Sequence, residues 1–444
     1  SEIGEIAEIQ RLGNILLVPN LHSLSEQEIL SLEIDEELFN SYCKISEQSS
    51  DFQFEDLFDI SDTKPEPVNI IAESPETQAK PRILLTMYGW NESGGGTTFP
   101  RSVAIALARR GYEVAVFYAT ANHPTIQKPY YLEYRVEQGV HLYGVYNRPT
   151  VFLDALNPER EIRDERIVQL FAQVIDEFRP NIVHYNNFLG LSFAIGEIPF
   201  SKGIPSVFTT HNYHIIDPML YLYRSDLSLW NNTDFFANSE LARNYPDLHN
   251  SFRNRIQAAK KLVNEHITYT LAVSRRVKEL FVDFGINPDK IAIVHQVPEQ
   301  AQKLTSLNIR NRQPEHPLRF GYIGGVMPHK GAHVLVQAAQ SIPKEKAEFL
   351  IYGFISQDYH RLLERLDVNH RIKFMGQYST DDLPSIAEQL DAIVLPSVWE
   401  DCAPLVIAEA IAMKLPVIAS RLGGFPDFVK HEINGKLYNH NSPS

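Results

Sequence analysis

Two acids eight residues apart, Asp401 and Glu409, stand in the stretch WEDCAPLVIAEAIAMKL, residues 399–415. An apolar run, DAIVLP at 391–396, precedes them and reads as a buried parallel strand. A turn carrying Glu400 and Asp401 follows, and Pro404 opens a helix, where its missing N–H costs nothing. Eight residues are about two helical turns, roughly 12 Å with a net rotation near 80° if all are helical. One acid then sits at the mouth of the helix and the other further along a neighbouring face. The first turn, over Ala403, Pro404 and Leu405, offers the free N–H groups beside the proline and the positive end of the helix dipole. A phosphate at those groups, with a sugar or ribose at the two acids, fits the arrangement. Acids at helix starts are common, so the spacing alone says little. The surrounding order singles it out: strand, turn, proline, apolar helix, then a second strand PVIAS (416–420) and the pair Gly423 and Gly424.

The elements that position these residues alternate between strand and helix. ILLTMYG (83–89) reads as a buried strand, followed by a loop with Gly94, Gly95 and Gly96, a helix over 97–110 and a strand YEVAVFYA at 112–119. The loop is not G-x-G-x-x-G, and no acid ends the second strand, so a dinucleotide ribose has no partner there. A glycine triplet does let backbone approach a diphosphate or a sugar closely. A helix over 162–178, a strand at 181–187 and a strand at 204–214 follow, the last one ending in His211, Asn212 and His214. His211 leaves the C-terminal end of a parallel strand, the edge at which open α/β sheets bind ligands. A last strand at 267–274 and a helix at 275–284 complete this half. Residues 297–317 are polar and hold three prolines, and they read as a hinge. A second α/β unit starts with LRFGYIGG (318–325). Lys330 and Gly331 then stand at a loop-to-helix junction, where a lysine can set a point charge on a diphosphate. Strands at 348–353 and 372–378 follow.

The chain has 444 residues, 44% hydrophobic and 22% charged, as expected for a globular protein of two or three domains. The net charge of −14 argues against duplex nucleic acid as a partner. Two cysteines, Cys43 and Cys402, are too few for a disulfide framework or a cysteine-based zinc site, which implies a reducing compartment. No apolar run reaches 18 residues and no signal-peptide pattern is seen. The expectation is a cytoplasmic protein that can work at the inner face of the membrane. Residues 1–80 form an accessory extension with an acidic linker, 81–300 a first Rossmann-like domain and 301–444 a second. The segment 218–266 interrupts the first domain with Tyr221, Tyr223, Trp230, Phe235, Phe236 and Tyr245. Its Arg253, Arg255, Lys260 and Lys261 read as a basic face, either plain solvated surface or an acceptor surface for a lipid diphosphate or anionic bilayer.

The 399–424 block resembles the signature of the family 4 retaining glycosyltransferases, E-x7-E, with Asp401 at the first acidic position and one methylene shorter in reach. GGGTTFPRSVAIALARRGYEV resembles the opening of the same family, and the resemblance runs from about Arg82 to Tyr438. It implies two doubly wound α/β domains facing each other across a cleft, the GT-B architecture. It also implies transfer of a hexose, with glucose expected, from a nucleotide diphosphate sugar such as UDP-glucose to a saccharide or lipid-linked saccharide, with retention, in polysaccharide or glycolipid synthesis.

Carried over by residue, Glu409 holds ribose hydroxyls, Asp401 binds the donor sugar and His211 orients it. Gly95, Gly96, Lys330 and the helix start at Ala403, Pro404 and Leu405 meet the diphosphate, and Gly376 and Gln377 offer backbone to the base. The family pattern G-R-x4-K-G meets Gly325 where the arginine belongs, so one phosphate-neutralising cation is missing; Arg101 and His329 are the candidates to replace it. No D-x-D motif is present, so no cofactor or metal is expected to be required. A nucleotide-sugar 2-epimerase and a non-catalytic sugar-nucleotide-binding subunit are the alternatives, the latter favoured by Gly325 and by the absence of further helices after Tyr438.

Overall fold

The computed structural model describes residues 80–439 except 93, 120–121, 150–153, 308, 310–316 and 432. The extension over 1–79, with its acidic linker and Cys43, lies outside the described residues, as does part of the expected hinge. The described residues fall into two compact units, 80–224 with 230–295, and 225–229 with 296–439.

The first unit is built on eight strands: β1 (Arg82–Met87), β2 (Glu113–Ala119), β3 (Tyr131–Glu137), β4 (Val140–Tyr146), β5 (Ile182–Tyr185), β6 (Ser206–Thr210), β7 (Tyr269–Ala272) and β8 (Ile291–Ile293). They lie in the order β3-β4-β2-β1-β5-β6-β7-β8, all parallel except β3 against β4. β1, β2 and β5 are apolar along almost their whole length because helices cover both faces of a parallel sheet. The helices that bear on the site are α1 (Gly95–Arg109), α2 (Pro158–Ile162), α3 (Glu165–Phe178), α4 (His249–Lys261) and α5 (Arg275–Phe284). α3 buries Ile167, Leu170, Phe171, Val174, Ile175 and Phe178 on one stripe, each burial contributing roughly 1.5–3 kcal/mol.

Two sequence readings are corrected here, and one hairpin is added to them. The expected helix over 162–178 breaks at Arg163, because Asp164 turns extended and its carboxylate accepts from the N–H groups of Arg166 and Ile167 to cap α3. The strand at 267–274 is not the last one: β8 adds to β7 through a three-residue pairing. The hairpin β3–β4 forms at one edge of the sheet, where YLEYRVE faces partial solvent and carries no continuous apolar run.

The second unit has six parallel strands: β9 (Leu318–Ile323), β10 (Ala347–Tyr352), β11 (Ile372–Gly376), β12 (Ala392–Leu395), β13 (Val417–Ser420) and β14 (Gly435–Tyr438). Their order is β11-β10-β9-β12-β13-β14. The expected hinge is also corrected, since it opens with a helix, α6 (Glu299–Thr305). Its Ala301 and Leu304 are fully buried in the core that also holds Ile407 and Ile411. α7 (Ala332–Ala339) follows β9, and α8 (Leu405–Ala412) follows β12. In each sheet the chain winds outward in both directions from a central pair, β1/β5 in the first and β9/β12 in the second. The loops leaving such a pair diverge and open a crevice at the C-terminal edge.

Candidate active site

In the second unit the loops after β9 and β12 meet at this switch point. The N–H of Val398 and the hydroxyl of Ser397 both donate to the His329 carbonyl, at 3.0 and 3.3 Å. Gly331, at φ 77°, sits so close to Pro396 that a methyl group there would overlap the Pro396 carbonyl. The loop after β13 joins them: the Gly423 N–H donates to the Glu400 carboxylate at 2.7 Å, and the Gly424 N–H to the Asp401 carbonyl at 2.7 Å. Glu400, the acid at the wrong spacing, is therefore spent on the frame.

That frame brings Lys330 and Asp401 together. The Lys330 ammonium pairs directly with Oδ2 of Asp401 and lies 5.2 Å from the centre of the Trp399 ring. The Asp401 side chain is 8% exposed and the Lys330 side chain 32%. One oxygen of Asp401 thus holds the lysine in place. The ammonium keeps further N–H donors toward solvent. His329 packs edge-on to Trp399, with ring centres 5.4 Å apart. Burial, then the neighbouring Lys330 charge, pushes its pKa down to about 4. It is neutral near pH 7 and does not replace the cation missing at Gly325, where space lies open: nothing stands within 4 Å of the position a Cβ would take. Arg101 is committed elsewhere, donating to the Trp90 carbonyl at 2.8 Å.

α8 begins at Leu405, with Pro404 extended at its N-cap and not, as expected, in its first turn. Ala403, Pro404 and Leu405 are half-buried, no side chain caps the helix and its first turn holds no acid. Its leading amides remain available to an anion. Glu409 lies one turn on, half-buried, and burial raises its carboxyl to about 7. Among the described residues no hydrogen bond or ion pair reaches that carboxyl. Tyr378 lies near enough that Glu409 helps to raise its phenol, after burial itself. Gly376 (φ 81°) and Gln377 are exposed at the end of β11, and Gly376 accepts from the Gly353 N–H at 2.7 Å. Sequence reasoning missed Tyr378, Trp399 and the exposed Phe354, 59% accessible just beyond β10. An aromatic residue just past a strand end, unsupported by an apolar run, was the available signal for Phe354.

The first unit presents its own cluster at the β1/β5 edge. α1 starts at Gly95 without a side-chain cap, and Pro100 has no N–H for the Gly96 carbonyl. A Cβ on Gly96 would lie 3.6 Å from the His211 Cβ and 3.7 Å from Tyr88, so the bare loop packs against the histidine. His211 follows β6, and its Nε2 meets the Asn186 Oδ1 at 3.0 Å. With that oxygen accepting, Nε2 carries the proton and Nδ1 keeps its lone pair. Burial first, then His184, pushes the His211 pKa down to about 3. The imidazole is neutral near pH 7 and acts as a hydrogen-bonding group, not as a charge. Asn186, 4% exposed, is the partner the sequence reading did not name, although a buried Asn pair closing an apolar strand was visible in NIVHYNN.

The basic face expected on the 218–266 segment is corrected. Arg255 is 1% exposed, and its guanidinium pairs with Glu161 of α2 and donates to the His214 carbonyl. His214 Nε2 also meets Glu161, at 3.1 Å. Arg255, together with Glu161, pins the loop that runs on from His211, and burial-opposed pairing holds Glu161 down at about 2. Arg253 lies over the Phe236 ring and Lys260 over the Phe284 ring. Arg255→Lys should keep the charge but lose the fork geometry, costing roughly 2 kcal/mol in urea unfolding. An unchanged midpoint would show that the pair holds nothing.

Among the described residues no helix is long and apolar enough to cross a membrane. Comparison with known proteins gives two family matches: Glycosyltransferase Family 4 over residues 93–296 and Glycosyl transferases group 1 over residues 317–444. An uncharacterized glycosyltransferase of Methanocaldococcus jannaschii is 24% identical over 77% of this chain and 80% of its own length. The D-inositol 3-phosphate glycosyltransferase of Corynebacterium efficiens is 24% identical over 80% of this chain and 81% of its own. Among solved structures, Anabaena HepE in complex with UDP and glucose is similar at a TM-score of 0.52, with 20% identity over 82% of this chain and 87% of that one. Sucrose-phosphate synthase from Thermosynechococcus elongatus is similar at a TM-score of 0.57, with 16% identity over the same shares.

Proposed function

The chain is a glycosyltransferase with a family 4 first half and a group 1 second half, and from that premise we propose that it moves a hexose, glucose being the one expected, from a UDP-sugar to a hydroxyl of a saccharide, free or lipid-linked, with retention of configuration. Proteins of similar fold supply the donor: Anabaena HepE is held with UDP and glucose. The observation that carries the reading is the set on the second unit. An uncapped helix N-terminus, a lysine held by Asp401 and the carboxyl of Glu409, without a partner among the described residues, all follow β9 and β12.

The reaction needs a stabilised departing diphosphate more than a strong nucleophile. Lys330 and the amides at Leu405 and Val406 place fixed positive charge where that negative charge grows, so no reorganisation is needed as the bond breaks. Glu409 takes ribose hydroxyls, and the oxygen of Asp401 not turned to Lys330 takes a sugar hydroxyl. The family relation adds the Gly95–Gly96 backbone and His211. The neutral imidazole, its Nδ1 lone pair free to accept, orients a sugar hydroxyl. Gly376 and Gln377 offer backbone to the base, and the exposed Phe354 offers a ring for it to stack on.

The test is a donor panel with a coupled assay for released nucleotide, run with and without saccharide acceptors. UDP release that depends on the acceptor, with an α-linked product from an α-linked donor, is the expected result. Release that no acceptor stimulates, or a 2-epimer as product, would overturn it.

A further inference from the structure

We propose that Arg148 and Arg160, at the C-terminal edge of the first sheet, form an anion subsite that takes a phosphate group carried by the acceptor. The proposal rests on the transferase reading above. Arg148 lies two residues past the end of β4, which runs parallel to β2, so it stands at the edge where this sheet binds ligands. Tyr130 precedes the antiparallel β3, whose Tyr131 pairs with Tyr146, and so stands at the same edge. Arg160 is on α2, four residues before Asp164, the N-cap of α3.

Asp164 is the carboxylate that pairs with Arg148, and it is already engaged. Its Oδ1 accepts from the N–H groups of Arg166 and Ile167, at 3.2 and 3.3 Å. Its Oδ2 accepts from the Tyr130 hydroxyl at 2.9 Å and lies 3.5 Å from Nη2 of Arg148. The Arg148 side chain is 5% exposed, yet its Nε has no hydrogen-bond partner. Nη1 of Arg160 is likewise buried without one, and no ion pair to Arg160 is seen among the described residues.

The two guanidinium groups feel each other. Burial lowers the pKa of Arg148, Asp164 opposes that, and Arg160 lowers it again. Both arginines also act on Tyr130. Two cations with one occupied acid leave a net positive charge and two orphaned donors out of water. Arrangements of that kind are costly unless a further group completes them. An arginine fork suits the tetrahedral oxygens of a phosphate, which accept in pairs. The donor diphosphate is assigned to Lys330 and α8 of the second unit, so this anion is a different one, and the acceptor is the substrate left to carry it.

The experiment titrates inorganic phosphate into the full chain with saturating UDP present, followed calorimetrically. Saturable binding is expected, weakened at least about tenfold in Arg160→Gln and several-fold in Arg148→Lys, with UDP affinity and unfolding midpoint unchanged in Arg160→Gln. No phosphate binding by the wild-type chain, or equal binding in both variants, overturns the subsite. Two competitors then identify the source: a soluble hexose phosphate, and a lipid diphosphate-linked sugar in detergent micelles. Displacement by either supports the proposal and names the acceptor type, and displacement by neither overturns it. Phosphate binding needs no turnover, so a chain that binds phosphate but releases no UDP would sink the transferase reading alone.

Discussion

Replacing Glu409 by glutamine is expected to raise the donor KM about 10–100-fold and to cut kcat by about two orders of magnitude, while making the protein more stable at alkaline pH. The first effect follows from losing a charge-assisted hydrogen bond to the donor, worth roughly 1.5–3 kcal/mol. The second follows from the carboxyl itself. Burial raises it from its ordinary 4.5 to about 7, with no cation to bring it back. The folded state therefore holds this proton over a pH range in which the unfolded chain releases it. The resulting stability is fully present below about pH 4.5 and is lost as pH rises through about 7. Above that, the ionised acid costs on the order of 3 kcal/mol relative to its protonated form. Glutamine keeps the shape and never ionises. The gap in melting temperature between Glu409→Gln and the parent should widen from about pH 5 to about pH 8. Donor affinity of the parent should improve over the same range as the carboxylate forms, and the variant should show no such rise. Wild-type donor affinity in the variant would remove Glu409 from the site.

Lys330→Ala is expected to lose about 10²–10³ in kcat, the scale on which a preorganised charge at a developing anion acts. Gly325 leaves no second cation from the loop after β9, and His329 is neutral, so nothing in that loop compensates. The variant should also lose stability, because it strands the Asp401 carboxylate, 8% exposed, at a cost of about 1–3 kcal/mol. Adding Asp401→Asn should return part of that stability, which identifies the stranded carboxylate as the cause of the loss. Activity of the parent chain should survive chelation, since Lys330 and helix amides carry the compensating charge. Loss on chelation, restored by Mn²⁺ or Mg²⁺, would assign that charge to a metal ion instead.

Glu409 and Lys330 were legible in the sequence for the same reason. Each sits a fixed distance past an apolar run bounded by a turn, and parallel strands covered on both faces must read as such runs. Their place at the strand ends follows from local order, which spacing preserves. The pairing of Lys330 with Asp401 did not show, because it joins residues 71 positions apart. The sequence reading assigned the two to different parts of the donor, and only the packing of Gly331 under Pro396 brings the loops within reach.

Arg255 marks the other boundary. On its own helix it is one cation among four, at a spacing that suits a solvated face. A carboxylate 94 residues earlier, on α2, turns it into a buried anchor. Arg148 and Arg160 are a similar case, since neither lies in a motif, and Tyr130 before β3, Arg148 after β4 and Asp164 at the head of α3 meet only in the fold. The sequence by itself determined the elements, the two sheets' parallel character and the residues that end their strands, since periodicity and capping act over a few positions. Tertiary structure alone decided strand order, the added hairpin and β8, and which charges are buried against which. Those depend on contacts between distant segments, and burial there outweighs the local preference of a charged side chain for water.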